Sequence, residues 1–430
     1  MGTRLREIYT TAILLLPILS QYESGIPKLT LGDLALLLAV VVAMFYSVRR
    51  KCMPKISVRS TTVNPFLWFA AYIVCGSMLS SVTQYHVSMS EIMGSSMRFL
   101  FYLFCACVMS AMFFDLDYFM EKYRNVVIFA TAFIIIQTLL MYWKGYVLFG
   151  TIPGLRVSNP GYSEDVERRM FASFYRPGSV FLEPGYYAQF VFPYLAYTLF
   201  SKNQRQKYLK AMIPTVGCIL STSGQGIMIS SMLWAVHFAE NTLRLKTRSI
   251  NLRTVIVLIL ILLSVLPIAN TPMLQNSLQR LFGGPSGGSA ASRIYRGYAI
   301  YRQLKPIHKI IGVGYGHVGV YLSSEDIRTE YIMGEDTHSE YMNSIADILV
   351  SLGLVGLILF SWMMIRLWRN TGDFRRVCTL TLVLLSAVSA CFTGPGVVMY
   401  LSVIMSGYSS RSRALVAGRT PKGSGSNDAG

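Results

Sequence analysis

Apolar residues gather in twelve runs along the chain, at approximately 8 to 22, 31 to 48, 65 to 82, 97 to 114, 125 to 143, 185 to 200, 207 to 222, 225 to 239, 254 to 269, 344 to 365, 377 to 392 and 396 to 409. Runs of about 17 to 20 apolar residues suit a helix that crosses the hydrocarbon core of a bilayer. The pattern predicts an all-α polytopic membrane protein with about twelve transmembrane helices in one membrane domain, 1–416, followed by a cytoplasmic tail, 417–430, of disordered composition. The first run follows Arg4 and Arg6 as a signal peptide would. It lacks a small-residue cleavage site and ends in Gln21-Tyr22-Glu23, so it reads as a retained span.

Charge placement orients these runs. With twelve spans and an inside N-terminus, the inside connections are RRKCMPKISVR, DLDYFMEKYR, SKNQRQKYLK, ENTLRLKTRSINLR and RLWRNTGDFRR. With the two tails they hold about 25 of the 39 Lys and Arg, which by the positive-inside rule puts both termini in the cytoplasm. The net charge of +18 is thus a topology signal and not a nucleic-acid footprint. Composition agrees: 53% of residues are hydrophobic and 14% charged, against about 25% charged in soluble domains. Six of the seven cysteines lie in or beside apolar runs and Cys52 in a basic loop, so no disulfide framework is implied.

Two outside segments, about 144–184 and 270–343, are far longer than any inside connection, and long connections usually carry function. Inside loops this short leave no room for a nucleotide-binding domain. The first outside segment contains ERRMFASFYRPGSVFLEPGYYAQF. Arg168 and Arg169 read as interface anchors. Arg176 and Glu183 flank RPGSVFLEP, where Pro177, Gly178 and Pro184 restrict the backbone just before a span. In the second, GGPSGGSAAS leads into SRIYRGYAIYRQLKP, a short amphipathic helix at the outer interface stopped by Pro306. Arg293 and Arg296 are three apart on it and face the same way; such a pair suits an anionic headgroup in general or a pyrophosphate in particular.

IIGVGYGHVGV lacks the spacing and context of a dinucleotide fingerprint and reads as a turn packed on a neighbouring helix, with His317 next to it. Thr337-His338-Ser339-Glu340 fits a capping box, which predicts Thr337 as N-cap of the tenth span and His338 in its first turn. There the helix dipole favours a neutral imidazole able to take a proton. Asp115-Leu116-Asp117 reads as helix-end solvation, His237 as structural, and Glu23 and Asp33 as weaker sources of a carboxylate. Zinc spacing and a P-loop are both missing.

In order along the chain, RPGSVFLEP before a span, LSTSGQG between two spans, SRIYRGYAIYRQLKPIHKIIGVGYG and HSEYMNSIADILVSLGLVGLI resemble the O-antigen polymerase and O-antigen ligase superfamily of bacterial surface-polysaccharide assembly. The likeness covers about Arg168 to Phe360; the first five spans match only in hydropathy. It implies a type C glycosyltransferase of the bacterial cytoplasmic membrane, working on the outer face without metal or cofactor. Its donor would be an undecaprenyl-pyrophosphate-linked oligosaccharide, its surroundings membrane lipids, and its partner a chain-length regulator, with no role for nucleic acid. Phe-Leu-Glu-Pro after Arg176 looks more like polymerases, which move the growing glycan onto the non-reducing end of a lipid-linked repeat unit.

Carried over by position, Arg293 would open the interfacial helix of the large loop, Arg176 would be the cation of the preceding loop, and His338 the histidine before the next span. Arg176, Arg293 and Arg296 would then bind pyrophosphate, with His338 as catalytic base and Glu183 as its substitute. Many members carry Arg where this chain has Ser223-Gly224-Gln225, and Arg296 is the expected replacement for that cation. A ligase passing glycan to a lipid core or protein uses the same donor and stays open. A lipid-linked oligosaccharide flippase or other transporter is disfavoured because mid-span charges are scarce and the two halves are unlike. A non-catalytic scaffold for chain-length regulation is a further alternative.

Overall fold

The computed structural model describes residues 2–26, 29–49, 63–158, 175–201, 205–244, 289–331 and 341–416. These are helical, with two isolated bridges, Tyr22 to Val157 and Glu23 to Thr30, and no strand among the described residues. Eleven of the twelve apolar runs coincide with helices; the ninth, 254–269, lies outside the described residues, as do Arg168, Arg169, His338 and the tail 417–430.

The helices are α1 (Gly2–Leu19), α2 (Leu31–Arg49), α3 (Val63–Val82), α4 (Met89–Phe113), α5 (Leu116–Lys144), α6 (Pro184–Phe200), α7 (Lys207–Leu220), α8 (Gly224–Arg244), α9 (Ser289–Gln303), α10 (Pro306–Ile311), α11 (Val318–Ser324), α12 (Ser344–Asn370), α13 (Asp373–Val388) and α14 (Gly396–Val416). Five, α2 to α5 and α12, are long and apolar enough to cross a bilayer, as expected of a membrane protein. α2, α3 and α5 leave apolar side chains such as Val42, Phe45, Trp68, Phe129 and Leu139 exposed. In water such faces would demand a partner, whereas lipid covers them.

α6 lies inside the bundle and is apolar on all sides, with Phe190, Val191, Phe192, Leu195, Ala196 and Leu199 buried. Pro193 removes the amide that would serve the carbonyl of Gln189. The hydroxyl of Tyr400 on α14 donates to that carbonyl at 2.8 Å, and Tyr123 on α5 donates to the carbonyl of Phe190. In α4 the ladder widens to a π-turn over Cys105–Met109, where the Cys105 carbonyl takes hydrogen bonds from the hydroxyls of Tyr9 and Ser110. Asp115 caps α5, its Oδ1 accepting from the amides of Asp117 and Tyr118 at 3.2 Å, so Asp115-Leu116-Asp117 is a helix start.

α12 bends at Gly353, whose φ of 67° lies in the left-handed region. The bend leaves the carbonyls of Val350 and Ser351 without helical amides. The amides of Val313 and Gly314 take them, at 3.0 and 2.9 Å, so the glycine-alternating segment is a turn packed on a helix, as its sequence suggested. A Cβ on Gly312 would stand 2.2 Å from the Ser351 carbonyl oxygen at a φ of 84°. Gly312→Ala is therefore expected to lower stability by at least about 1–3 kcal/mol from backbone strain alone, read as an earlier thermal midpoint in detergent.

His308 on α10 is buried, with Nδ1 3.1 Å from the Gly312 carbonyl and its ring edge-on to Tyr321. Burial lowers its pKa below the ordinary histidine value, against smaller opposing effects from the Gly312 carbonyl and Glu325. A depressed histidine costs stability only below the unfolded pKa of about 6.5, where the unfolded chain takes up the proton first. Protection factors over 306–324, which discount the intrinsic slowing of exchange in acid, should thus fall as pH falls from about 6.5, and His308→Asn, whose side-chain amide keeps a donor for the Gly312 carbonyl, should flatten that dependence.

Candidate functional site

One end of the bundle collects the C-terminal ends of α1 and α13, the N-terminal ends of α4, α6, α9, α12 and α14, and the connection after α5. Two buried glutamines hold this end together. Gln21, after α1, accepts the amide of Leu182 on Oε1, and its carbonyl takes the amide and hydroxyl of Ser158 at 3.0 Å. Gln137 of α5 accepts the Ser179 amide at 3.0 Å and donates to the Leu148 carbonyl at 3.0 Å. Between them RPGSVFLEP is folded back on the bundle, and Pro184 starts α6 directly after Glu183. That is how Glu183 reaches the wall of a cavity of about 320 Å³.

The cavity wall carries three charged side chains, Arg98, Glu183 and Arg293, among Gln21, Gln189, Tyr186, Tyr341, Leu182, Phe190, Cys391, Met399 and others. Arg293 Nη2 lies 2.9 Å from Glu183 Oε2, Nε donates to the Tyr341 hydroxyl, and the guanidinium stands 4.8 Å from the Tyr341 ring centre. Burial opposes the charge on Arg293, but Glu183 and Tyr341 outweigh it, and its pKa stands above the ordinary arginine value. The group is cationic at every pH the protein meets.

Arg98 is held in the same way. Its Nη2 lies 2.7 Å from Asp33 Oδ2, its Nε donates to the Tyr102 hydroxyl at 2.9 Å, and its guanidinium is 5.7 Å from the Tyr102 ring centre. Asp33 is 3% exposed and also accepts from the Thr30 amide and hydroxyl and from the Tyr102 hydroxyl. Two arginines on one cavity are thus each fixed by a carboxylate on Nη2 and a tyrosine hydroxyl on Nε. In both, Nη1 has no hydrogen bond among the described residues, which leaves one edge for a ligand.

Of the expected site residues, Glu183 and Arg293 meet here. Arg176 does not line the cavity; its Nε donates to Thr222 Oγ1 at 3.3 Å, bracing the turn before α8. Arg296 is 1% exposed and also off the cavity wall. Residues three apart on a helix are offset by roughly 60° around its axis, so sharing a side with Arg293 did not give Arg296 the same environment. In the Ser223-Gly224-Gln225 turn, Gln225 donates from Nε2 to the Gly185 carbonyl at 2.8 Å and serves as a structural tie.

The capping box does not start α12. Asn343 is its N-cap, accepting the Ala346 amide at 2.8 Å, and residues 341–343 are not helical, so His338 is not in the first turn. Asn343 prevails because it does two jobs: its Nδ2 also donates to the carbonyls of Arg293 and Ile294, at 2.9 and 3.3 Å, tying the start of α9 to that of α12. The structure describes neither His338 nor the rest of that box. Sequence reasoning missed Arg98, Tyr102 and Tyr341, and gave Asp33 only a minor place. A signal existed: Asp33 and Arg98 are the sole charges in the second and fourth apolar runs, one acid and one base.

Compared with known proteins, the chain matches no family model and no curated protein. Asn343→Ala should remove about 1 to 2 kcal/mol of capping and release the start of α9. Faster amide exchange at 292–296 with unchanged exchange in α5 and α6 is the expected reading; equal loosening everywhere would contradict the tie.

Proposed function

We propose that this chain is a polysaccharide polymerase of the bacterial cytoplasmic membrane. It would move a growing glycan from undecaprenyl pyrophosphate to the non-reducing-end hydroxyl of a lipid-linked repeat unit, on the outer face. The observation that carries the reading is the Arg293–Glu183–Tyr341 cluster on a cavity at the end of an apolar bundle, beside the segments whose motifs resemble that superfamily. The expected topology, twelve spans with both termini inside, suits the arrangement, because it puts outside the connections after α1, α5 and α13 that border the cavity.

As the bond from the anomeric carbon to the diphosphate oxygen breaks, negative charge grows on the departing diphosphate. A guanidinium already fixed and desolvated stabilises that charge without reorganising. Arg293 fills this role, while Arg176 and Arg296, expected to share it, lie off the cavity wall. The acceptor hydroxyl attacks the anomeric carbon and gives its proton to a base. His338 is the nominated base and Glu183 its substitute; Glu183 Oε2 is spent on Arg293, while Oε1 takes no hydrogen bond among the described residues. Neither step needs a metal or a nucleotide.

The test is purified protein in lipid nanodiscs supplied with lipid-linked repeat units. Arg293→Ala should slow chain growth by roughly a hundred- to thousandfold, leaving single units on the carrier. Arg293→Lys is expected to be impaired as well, since an ammonium cannot reproduce the planar fork. Loss of a base in His338→Ala should cost about a hundred- to ten-thousandfold. Chelators should have no effect. Normal long-chain ladders from both alanine variants would refute the site.

A further inference from the structure

The second clamp, at Arg98, is assigned no role by the reaction as described above. It sits in a candidate span, nine residues into α4 and so about 13 Å along it. Arg293, by contrast, lies near the start of α9, a short helix outside the candidate spans. The turn between α13 and α14 links the two clamps. At Ser389 its carbonyl accepts the amide of Ser344, next to the Asn343 that holds the Arg293 backbone, at 3.0 Å. At Phe392 its ring packs on Phe99, the neighbour of Arg98, with centres 5.6 Å apart. Three residues of chain span at most about 11 Å, so the two anchor points are close enough for long arginine side chains to reach one ligand.

Taking the glycosyl-transfer reading as its basis, we propose that Arg98 is a further binding residue of this cavity and takes the polyprenol-side phosphate of the donor, while Arg293 takes the saccharide-side phosphate. The order follows from position. The polyprenol tail must stay in the apolar layer, so its phosphate belongs with the arginine inside a span, among Leu182, Phe190, Cys391 and Met399. The sugar-bearing phosphate belongs with the arginine that shares the wall with Glu183. Asp33, buried behind Arg98 and off the cavity wall, is a positioning residue: it fixes Nη2 so that the Nη1 edge is presented. Tyr102 sets the plane of the guanidinium through Nε.

Binding of undecaprenyl phosphate and undecaprenyl pyrophosphate to the full chain in nanodiscs tests this, because the monophosphate keeps only the polyprenol-side group. Arg98→Gln should weaken both lipids, each by roughly ten- to hundredfold, the worth of a hydrogen bond to a charged group. Arg293→Gln should weaken the pyrophosphate alone, down to the level of the monophosphate. Since Arg98→Gln leaves Asp33 buried without its cation, the double variant Asp33→Asn/Arg98→Gln serves as the folding-safe form and should give the same pattern. Asp33→Asn alone should weaken both lipids less than Arg98→Gln does. If Arg98→Gln leaves both affinities unchanged, Arg98 serves the acceptor and the proposal is overturned. If the two arginine variants exchange patterns, the orientation is wrong. If the unaltered protein binds neither lipid, the glycosyl-transfer reading itself falls, and this inference with it.

Discussion

Keeping a guanidinium charged and oriented in an apolar wall is the constraint around which this end of the molecule is arranged. A lone cation moved from water into such a place costs several kcal/mol, so it persists only with a partner charge and satisfied hydrogen bonds. The chain meets the requirement twice with the same parts: a carboxylate on Nη2, a tyrosine hydroxyl on Nε, and the tyrosine ring beside the cation. The partners come from distant stretches, α2 with α4 and the start of α6 with α9 and Tyr341. Each clamp therefore exists only when the bundle is assembled.

Freed backbone groups do the rest of the positioning. Pro193 frees a carbonyl for Tyr400, Gly353 frees two for Val313 and Gly314, and the open start of α12 is closed by Asn343, which holds the Arg293 backbone as well. In a low-dielectric interior an unfilled carbonyl or amide is expensive, so each of these irregularities fixes the element that fills it. The cavity is bordered by such joints: Gln189 beside the Pro193 break, Ser389 against Ser344, and Leu182 on Gln21. Rigid joints around the cavity suit a site that must present fixed donors to a charge that develops during reaction.

Much of the architecture was legible before any coordinates. Apolar runs gave the helices because their length and composition leave few other structures for a backbone in lipid. The helix carrying Arg293, the packed glycine turn, and Glu183 at the head of α6 were readable from turn residues and spacing. The reading failed where two local signals competed. Thr337-His338-Ser339-Glu340 has the capping pattern, yet α12 is capped by Asn343, which also reaches the carbonyls of α9. That advantage is tertiary and leaves no trace in a local pattern.

What the sequence by itself determined is the helical content, the apolar character of the bundle, and the candidacy of Arg293 and Glu183, all of which follow from local composition and order. Only the tertiary structure decided which cations share a wall. Arg296, three residues along from Arg293, is buried off the cavity, while Arg98, almost two hundred residues away from Arg293, lines it. The reason is that burial and pairing of a charge depend on where distant helices pack, and helix packing is set by the sum of side-chain shapes along whole faces. No short window of sequence contains that sum.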